Sequence, residues 1–366
     1  MKEADSKTKR EPNFELLRIV SMIMVVALHY WGKSGFLDRV PASDPGFYVG
    51  WFSESLCICA VNCFVLLTGY FMSEKKFKLS RIIRIWLQVL EYSVILYLVS
   101  ILTGLNTFSG LDLAKAFFPI SNETYWFATK YLILLVISPF LNLLMDNCDK
   151  KRMGILFVSS FILFSVMPSV FYWKDYLNIA RGYSVLWFVC LYIFGAYVKR
   201  FGIPLFKSKG GCFLGFFLSA FVIFAARAVF GLINCYRGSE IPYAKVLYNY
   251  NFVFTFLSAL FLFGFFMHLS VKNEAAKKVI FFLSPASFGV YLLHLNTYSV
   301  NWFWRGLLKP DSIGNAALIA AHHLVVVFGV YLLCAMAERI RLWLLEDNPL
   351  MRKLFERIDR RGKNEV

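Results

Sequence analysis

Ten apolar segments, each long enough to cross a lipid bilayer, follow one another through this chain of 366 residues with only short polar breaks. A helix that crosses ~30 Å of hydrocarbon needs about 20 apolar residues. Because a lipid-exposed segment must satisfy its own backbone hydrogen bonds, such runs fold as helices. The sequence therefore predicts an all-α fold, a polytopic membrane helix bundle of about ten transmembrane helices. The predicted spans are residues 15–34, 50–72, 80–104, 124–145, 153–171, 182–200, 212–234, 247–269, 279–304 and 313–345.

The composition agrees with a membrane protein, since 58% of the residues are hydrophobic and 18% are aromatic, more than in soluble globular domains. The formal net charge of +16 would suggest nucleic-acid binding in a soluble protein. Here, however, the basic residues form small clusters between apolar segments, so we expect the lipid bilayer and no nucleic acid as a partner. No Cys/His spacing resembles a zinc site, and no metal site is predicted.

The placement of Lys and Arg predicts the orientation, because cytoplasmic loops carry an excess of these residues. With the N-terminus in the cytoplasm, that side collects 28 of the 39 basic residues, and the other side together with the chain interior holds 11. We therefore expect a multi-pass protein of the inner (cytoplasmic) cell membrane with both termini cytoplasmic. Residues 1–346 are expected to form one transmembrane domain, followed by a basic cytoplasmic tail at residues 347–366.

The first apolar segment carries Arg18 at its start and His29 near its middle. A step of eleven residues at 100° per residue returns to within ~20° of the same helix face, ~16 Å further along the axis. An anchor at the membrane interface is an equally good interpretation of Arg18 alone. A histidine within the bilayer is by default a candidate functional residue. Together they suit a ligand with an anionic head and a long arm, such as coenzyme A, with the imidazole as general base.

These two residues, with Glu15 before them, resemble the signature of the acyltransferase-3 family of integral membrane acyltransferases. Further segments resemble family motifs in the same order along the chain, so the resemblance covers almost all of it. These segments are "NCFVLLTGYF" at 62–71, "KLSRIIRIW" at 78–86, "YWFATKYLILLVISPFLN" at 125–142, "LWFVCLYIFGAYV" at 186–198 and "SFGVYLLH" at 287–294.

The resemblance implies an enzyme that moves an acyl group, commonly acetyl, from acyl-CoA to a hydroxyl of a surface polysaccharide or lipid-linked sugar. It implies acyl-CoA as co-substrate and no bound cofactor. His29 is the predicted catalytic residue, either as general base or as a transient acyl carrier. The predicted acyl-CoA-binding residues are Arg18, Arg81 and Arg84. The supporting or acceptor-side candidates are Glu15, Glu123, Trp126, Tyr291 and His294.

Several of these positions have a structural interpretation as well. His294 could join two helices by a hydrogen bond, and Trp126 could belong to an interfacial aromatic belt. Glu54 and Glu123 fall at predicted helix ends, where a solvated carboxylate is favoured over one that orients an acceptor hydroxyl. His322 and His323 are adjacent and project ~100° apart, which favours packing roles. Glu91 and Arg227 lie inside apolar runs and are expected to pair with each other or to line a cavity.

Two other functional classes stay open at this point. A transporter or flippase for polysaccharide precursors or small solutes would also use intramembrane charges and histidines. The chain, however, shows no repeat between its halves and no matching pair of helices interrupted by Gly or Pro. A membrane-bound partner protein without catalysis would make the spacing of Arg18 and His29 accidental.

Overall fold

The computed structural model describes residues 10–175, 177–310 and 313–364, and within these ranges it contains helices and no β-strand. Nine helices there are long and apolar enough to cross a membrane, and a further one, Val185–Phe201, has 17 residues. The predicted all-α bundle of about ten transmembrane helices is confirmed. We number the segments α1 (Pro12–Ser34), α2 (Pro45–Met72), α3 (Leu79–Leu102), α4 (Trp126–Asp146), α5 (Lys150–Val170), α6 (Val185–Phe201), α7 (Lys209–Arg237), α8 (Pro242–Met267), α9 (Glu274–His294), α10 (Ala316–Glu346) and α11 (Pro349–Asn364).

The predicted span 279–304 ends early, because α9 stops at His294 and a separate helical turn, Trp302–Leu307, follows. The buried side chain of Asn296 lies at this break. Its amide oxygen accepts a hydrogen bond from the backbone of Tyr298, and its amide nitrogen donates to the hydroxyl of Tyr125. A side-chain amide that bonds the backbone in this way offers the chain an alternative to the helix.

Helix α1 lies at the centre of the bundle and packs against α2, α8, α9 and α10. Its side chains are buried on several faces, among them Phe14, Leu17, Tyr30 and Trp31, each at most 2% exposed. A helix that is apolar all round is expected in the interior of a bundle. This position places Arg18 and His29 among other helices rather than on a surface that faces lipid.

Helices α2 and α6 approach each other closely because both carry a glycine at the contact. A Cβ atom at Gly69 would clash with the backbone of Tyr192, and one at Gly195 would clash with the backbone of Leu66. Small residues at a helix interface let two membrane helices pack backbone to backbone. The short helix α6 is thereby held inside the bundle, where Trp187 and Phe188 are fully buried.

The start of α3 and the C-terminal helix α11 meet at one end of the bundle. Ser80 at the start of α3 donates a hydrogen bond to Asp359 of α11 at 2.8 Å, and the guanidinium of Arg84 lies 4.2 Å from the ring centroid of Phe355. We call this region, with Arg10 and Arg18, the basic end. The predicted tail is thus largely a helix docked on α3. The side of the membrane that the basic end faces stays a prediction, and residues 1–9 and 365–366 of the predicted domains lie outside the described residues.

The buried charges of α3 and α10 form one cluster. Glu338 is fully buried and accepts hydrogen bonds from Gln88, Tyr92 and Arg341. Arg341 also pairs with Glu91 at 2.8 Å. The expected pairing of Glu91 with Arg227 is wrong, because α10 supplies the cation for Glu91. Breaking a buried ion pair costs about 3–5 kcal/mol, so this cluster fixes α10 against α3.

Candidate functional site

The ring of His29 is paired with the ring of His294. Nδ1 of His29 lies 2.9 Å from Nε2 of His294, and the ring centroids are 5.0 Å apart. His294 is 4% exposed, and its other ring nitrogen, Nδ1, contacts the backbone carbonyl of Val290 one turn earlier in α9. The first and the ninth helix therefore share one hydrogen-bonded chain that ends on a carbonyl.

These two hydrogen bonds determine the tautomers of a neutral histidine pair. A carbonyl oxygen only accepts hydrogen bonds, so Nδ1 of His294 carries a proton. Nε2 of His294 is then an acceptor and takes the hydrogen of Nδ1 of His29. The remaining nitrogen, Nε2 of His29, is left with a lone pair, and the structure gives it no other hydrogen bond among the described residues. Such a nitrogen can act as a general base.

A small cavity adjoins this histidine. Its free volume is about 20 Å³, and its walls include His29, Val25, Val61 and Tyr291. A single water molecule needs about 10–15 Å³ of such space. The cavity therefore admits only a small chemical group next to the imidazole.

A second cavity, of about 260 Å³, runs from the basic end toward the first one. Arg18 lies on its wall, and the side chains of Met22, Phe64 and Phe127 line both cavities. The two cavities thus adjoin at these three residues. Arg18 lines the larger of these neighbouring cavities and His29 lines the smaller, along the helix face that the sequence predicts.

The mouth of the larger cavity carries both signs of charge. Glu15 pairs with Arg10 at 3.0 Å and with Arg18 at 3.6 Å, and Arg10 also donates a hydrogen bond to the hydroxyl of Ser284 at 2.7 Å. The Nε atom of Arg18 is buried and has no hydrogen-bond partner in the described part of the chain. This Nε atom is the one that faces Glu15, while the side chain of Arg18 as a whole is 38% exposed and lines the cavity.

Arg81 extends this positive region. Burial lowers the pKa of Lys75 from its ordinary value, and the guanidinium groups of Arg81 and Arg18 lower it further. The positive charges of Arg81 and Arg18 thus both repel that of Lys75. The Nη1 atom of Arg81 contacts the sulfur of Met72 at 2.7 Å, so no carboxylate takes up that nitrogen.

Arg84 is engaged elsewhere. One of its guanidinium nitrogens lies 3.8 Å from a carboxylate oxygen of Glu346, and the group stacks on Phe355. The structure places Glu15 and Arg18 on the wall of the larger cavity and keeps Arg84 beside Glu346 and Phe355. Arg81 does not line this cavity, so its part in acyl-CoA binding stays a prediction. The predicted role of Arg84 in acyl-CoA binding stays a prediction.

Aromatic rings close the small cavity on the side away from the basic end. The rings of Trp126 and Tyr183 are 4.3 Å apart between centroids, and those of Tyr183 and Tyr250 are 4.8 Å apart. Trp126, Tyr250 and Tyr291 line the small cavity. The hydroxyl of Tyr291 also accepts a hydrogen bond from the backbone of Phe127 at 3.3 Å. Two of the predicted supporting residues, Trp126 and Tyr291, therefore lie beside His29.

The two glutamates near the opposite end differ in their surroundings. The side chain of Glu123 is 52% exposed and pairs with Lys130, as the solvated interpretation requires. Glu54 lies within the first half of α2, and its Oε2 atom is buried without a hydrogen-bond partner among the described residues. Burial raises the pKa of Tyr183, and the Glu54 carboxylate raises it further. The solvated interpretation is therefore wrong for the Oε2 atom of Glu54.

Sequence reasoning missed several wall residues. Arg10 precedes the first predicted span, and a basic residue there is indistinguishable from a topology signal. Phe64 and Phe127 lie in the quoted motifs but look like any other apolar residue of a helix. His322 and His323 have packing roles, as expected, since His322 lies 2.8 Å from the Tyr30 hydroxyl and His323 stacks on Trp31.

Comparison with known proteins finds one family. A family model described as an acyltransferase domain, acyltransferase family 3, matches residues 11–337. This match includes every predicted site residue and ends within α10. No curated protein and no solved structure matches the chain.

Proposed function

Because the chain belongs to the acyltransferase-3 family of membrane proteins, we propose that it transfers an acetyl group from acetyl-CoA to a hydroxyl of a surface polysaccharide or its lipid-linked precursor. The observation that carries this proposal is the pair of adjoining cavities between Arg18 and His29. A charged rim, a narrow passage and a basic nitrogen at its end fit the successive parts of a CoA thioester. The proposed location is the inner cell membrane.

Arg18 and Arg81 hold the phosphates of acetyl-CoA at the basic end. A guanidinium binds phosphate through two parallel hydrogen bonds, which makes it stronger and more directional than an ammonium. Lys75 adds positive charge that interacts with both of these arginines. The pantetheine arm then occupies the cavity of about 260 Å³, whose walls are formed largely by apolar side chains.

The acetyl group reaches the small cavity beside His29. Its free volume of about 20 Å³ favours acetyl over longer acyl groups, since each additional methylene group needs space that packed helices do not provide. Val25 and Val61, which are each 5% exposed, form part of the wall that limits the length of the acyl group.

His29 activates the acceptor hydroxyl. Its Nε2 lone pair takes the hydroxyl proton while the oxygen attacks the thioester carbonyl carbon. The carbon–sulfur bond then breaks, the acetyl group stays on the acceptor oxygen, and the CoA thiolate takes up the proton from the imidazolium. His294 orients the imidazole in the tautomer that this step needs. The same lone pair could attack the thioester directly, which gives the acyl-histidine alternative.

The acceptor approaches from the end of the bundle opposite to the basic end. On that side Trp126 and Tyr250 line the small cavity, and the ring of Tyr183 packs against both of them. Glu54 has a buried Oε2 atom without a hydrogen-bond partner among the described residues, and in this proposal that atom accepts a hydrogen bond from the incoming hydroxyl. Glu123, which is largely exposed, is left as a weaker candidate for contact with the acceptor.

The test uses purified protein in lipid nanodiscs, radiolabelled acetyl-CoA and glycan extracted from cells that lack the gene. Wild-type protein is expected to label the glycan, and His29→Ala is expected to lower the rate about 10²- to 10⁴-fold. His268→Ala is the matched control, because His268 bonds a backbone carbonyl outside both cavities. Transfer by His29→Ala at a rate close to that of the wild type would exclude the proposed base. Transport of labelled glycan without labelling by acetate would favour a flippase.

A further inference from the structure

A third cavity, of about 620 Å³, opens at the end of the bundle opposite to the basic end. It is separate from the cavities that Arg18 and His29 line. Arg181, Lys245 and Asn249 line this cavity and also an adjoining one of about 680 Å³. We call these two neighbouring cavities the groove. Each of them is larger than the cavity of about 260 Å³ beside Arg18.

Arg227 is the most unusual residue of this groove. It lies within α7, is 8% exposed, and its Nη1 atom has no hydrogen-bond partner in the described ranges. Its guanidinium is 4.3 Å from the ring centroid of Trp51 and 5.1 Å from that of Phe47. Such cation–π contacts offset only part of the free-energy cost of burying an ion. An anion in the groove would supply the missing partner.

The carboxylates of the groove do not supply it. Asp38 and Glu240 both line the cavity, and Glu240 is paired with Lys245 at 2.9 Å. No ion pair joins Arg227 to either of them among the described residues. The charge of Arg227 is therefore left for a group that comes from outside the chain.

The walls of the groove favour a saccharide as the carrier of this anion. Trp51, Tyr183 and Tyr248 line the cavity around Arg227, and Tyr172 and Trp173 line the adjoining one. Aromatic rings offer large apolar faces with polar edges, which suit the apolar faces and the hydroxyls of sugar rings. Trp173 is 65% exposed, so this face is open to a long ligand.

The groove is also adjacent to the site of transfer. Tyr183 lines the groove, and its ring lies 4.3 Å from that of Trp126, which lines the small cavity beside His29. A sugar held at Arg227 is thus separated from the imidazole cavity by one layer of aromatic rings. Movement of these rings would bring a hydroxyl of the same saccharide to His29.

We propose that Arg227 binds the anionic group of an acidic saccharide, a carboxylate or a phosphate, and so selects the acceptor. This inference rests on the proposed function for its place in catalysis, but its binding step can be measured without acetyl transfer. Arg227 binds and positions the acceptor, and His29 carries out the proton transfer.

The binding test uses Cys235, an exposed cysteine that lines the groove. A maleimide is allowed to react with the purified protein in nanodiscs, with Cys235→Ala as the blank. The probes are a trimer of galacturonic acid against its methyl ester, and glucose 1-phosphate against glucose. We expect the charged member of at least one pair to slow labelling at a concentration where its neutral partner does not. The pair that responds identifies carboxylate or phosphate as the anion.

Arg227→Gln is expected to raise the concentration needed for protection at least ~10-fold, as the loss of a charge-assisted hydrogen bond implies. Arg227→Lys keeps the charge and is expected to keep part of the protection. Arg237→Gln is the matched control, since Arg237 lies on the same helix outside the groove. The proposal is overturned if charged and neutral probes protect Cys235 equally. It is also overturned if Arg227→Gln and Arg237→Gln weaken the protection of Cys235 to the same extent.

The two proposals fail separately. If the wild type transfers acetyl groups through His29 but charge does not affect protection of Cys235, only the acidic acceptor is wrong. If protection of Cys235 depends on Arg227 and no acetyl transfer occurs, binding of an anionic saccharide in the groove is supported and the proposed enzyme function is wrong. Arg227→Gln is first checked for a wild-type elution volume in size exclusion, so that loss of protection reports binding and not unfolding.

Discussion

Nδ1 of His29 lies 2.9 Å from Nε2 of His294, although 265 residues separate the two histidines along the chain. The pair joins the central helix α1 to the end of α9, at the point where α9 gives way to an irregular turn. Because the carbonyl of Val290 holds the ring of His294 in place, the hydrogen bond between the two histidines fixes the orientation of the His29 ring. The proposed base is thus positioned by a second helix, in the way that outer partners orient metal-bound or catalytic histidines.

Replacement of His294 by Ala is expected to lower kcat about 10- to 100-fold, since loss of an orienting partner has effects of this size. The KM for acetyl-CoA is expected to stay unchanged, because the phosphates bind at the other end of the passage. His294→Gln is expected to recover part of kcat, since the amide oxygen of Gln can still accept the hydrogen of Nδ1 of His29. Steady-state kinetics of the three proteins measures this. Equal activity of the Ala and Gln variants would contradict an orienting role.

How much of this site the sequence could predict depends on the range of the interaction. The shared face of Arg18 and His29 follows from helix periodicity alone, and the structure places the two residues on the walls of two neighbouring cavities. The partner of His29 comes from a helix far along the chain, and periodicity says nothing about which helices touch. The motif at 287–294 singled out His294, but a hydrogen bond to His29 required the tertiary structure.

The buried charges illustrate the same limit. Glu91 and Arg227 both lie inside apolar runs, which suggested that they would pair. Position along a span gives only the depth of a residue in the bilayer and does not tell which helices are neighbours. Glu91 meets Arg341 of α10, and Arg227 instead meets the rings of Trp51 and Phe47. The alternative expectation, that such a residue lines a cavity, holds for Arg227.

Arg18→Gln is expected to raise the KM for acetyl-CoA about 10- to 100-fold, the equivalent of one hydrogen bond between charged groups. The same variant is expected to use S-acetyl-N-acetylcysteamine, a donor without phosphates, as well as the wild type does. Initial rates with the two donors measure the difference.

Arg84→Gln serves as the matched comparison for Arg18→Gln, since Arg84 is engaged with Glu346 and Phe355. We expect its effect on the KM for acetyl-CoA to be smaller. An increase as large as that of Arg18→Gln would mean that Arg84 leaves Glu346 to bind the donor, as the sequence predicts. If Arg18→Gln lowers the initial rate to a similar extent with acetyl-CoA and with S-acetyl-N-acetylcysteamine, phosphate binding at Arg18 is contradicted.

Val61→Ala is expected to let the enzyme accept longer acyl groups. The side chain of Val61 forms part of the wall of the small cavity beside His29, so its truncation makes room for additional methylene groups. The ratio of kcat/KM for butyryl-CoA to that for acetyl-CoA is expected to rise about 10-fold. Val65→Ala is the control, because Val65 is equally buried one turn later but lies outside both donor cavities. An equal change in both variants would disprove size selection at this wall.

The orientation of the bundle can be tested with two native cysteines. Cys235 is exposed at the end opposite to the basic end, and Cys148 follows Asp146, which pairs with Arg200 near Ser73 at the basic end. Because basic residues concentrate on the cytoplasmic side, a membrane-impermeant maleimide added to intact spheroplasts is expected to label Cys235 and not Cys148. Variants that keep only one of the two cysteines identify the labelled site, and permeabilised spheroplasts control for reactivity. Labelling of Cys148 alone in intact spheroplasts would mean that the bundle has the opposite orientation. The proposed acetyl-CoA site would then face the outside of the cell.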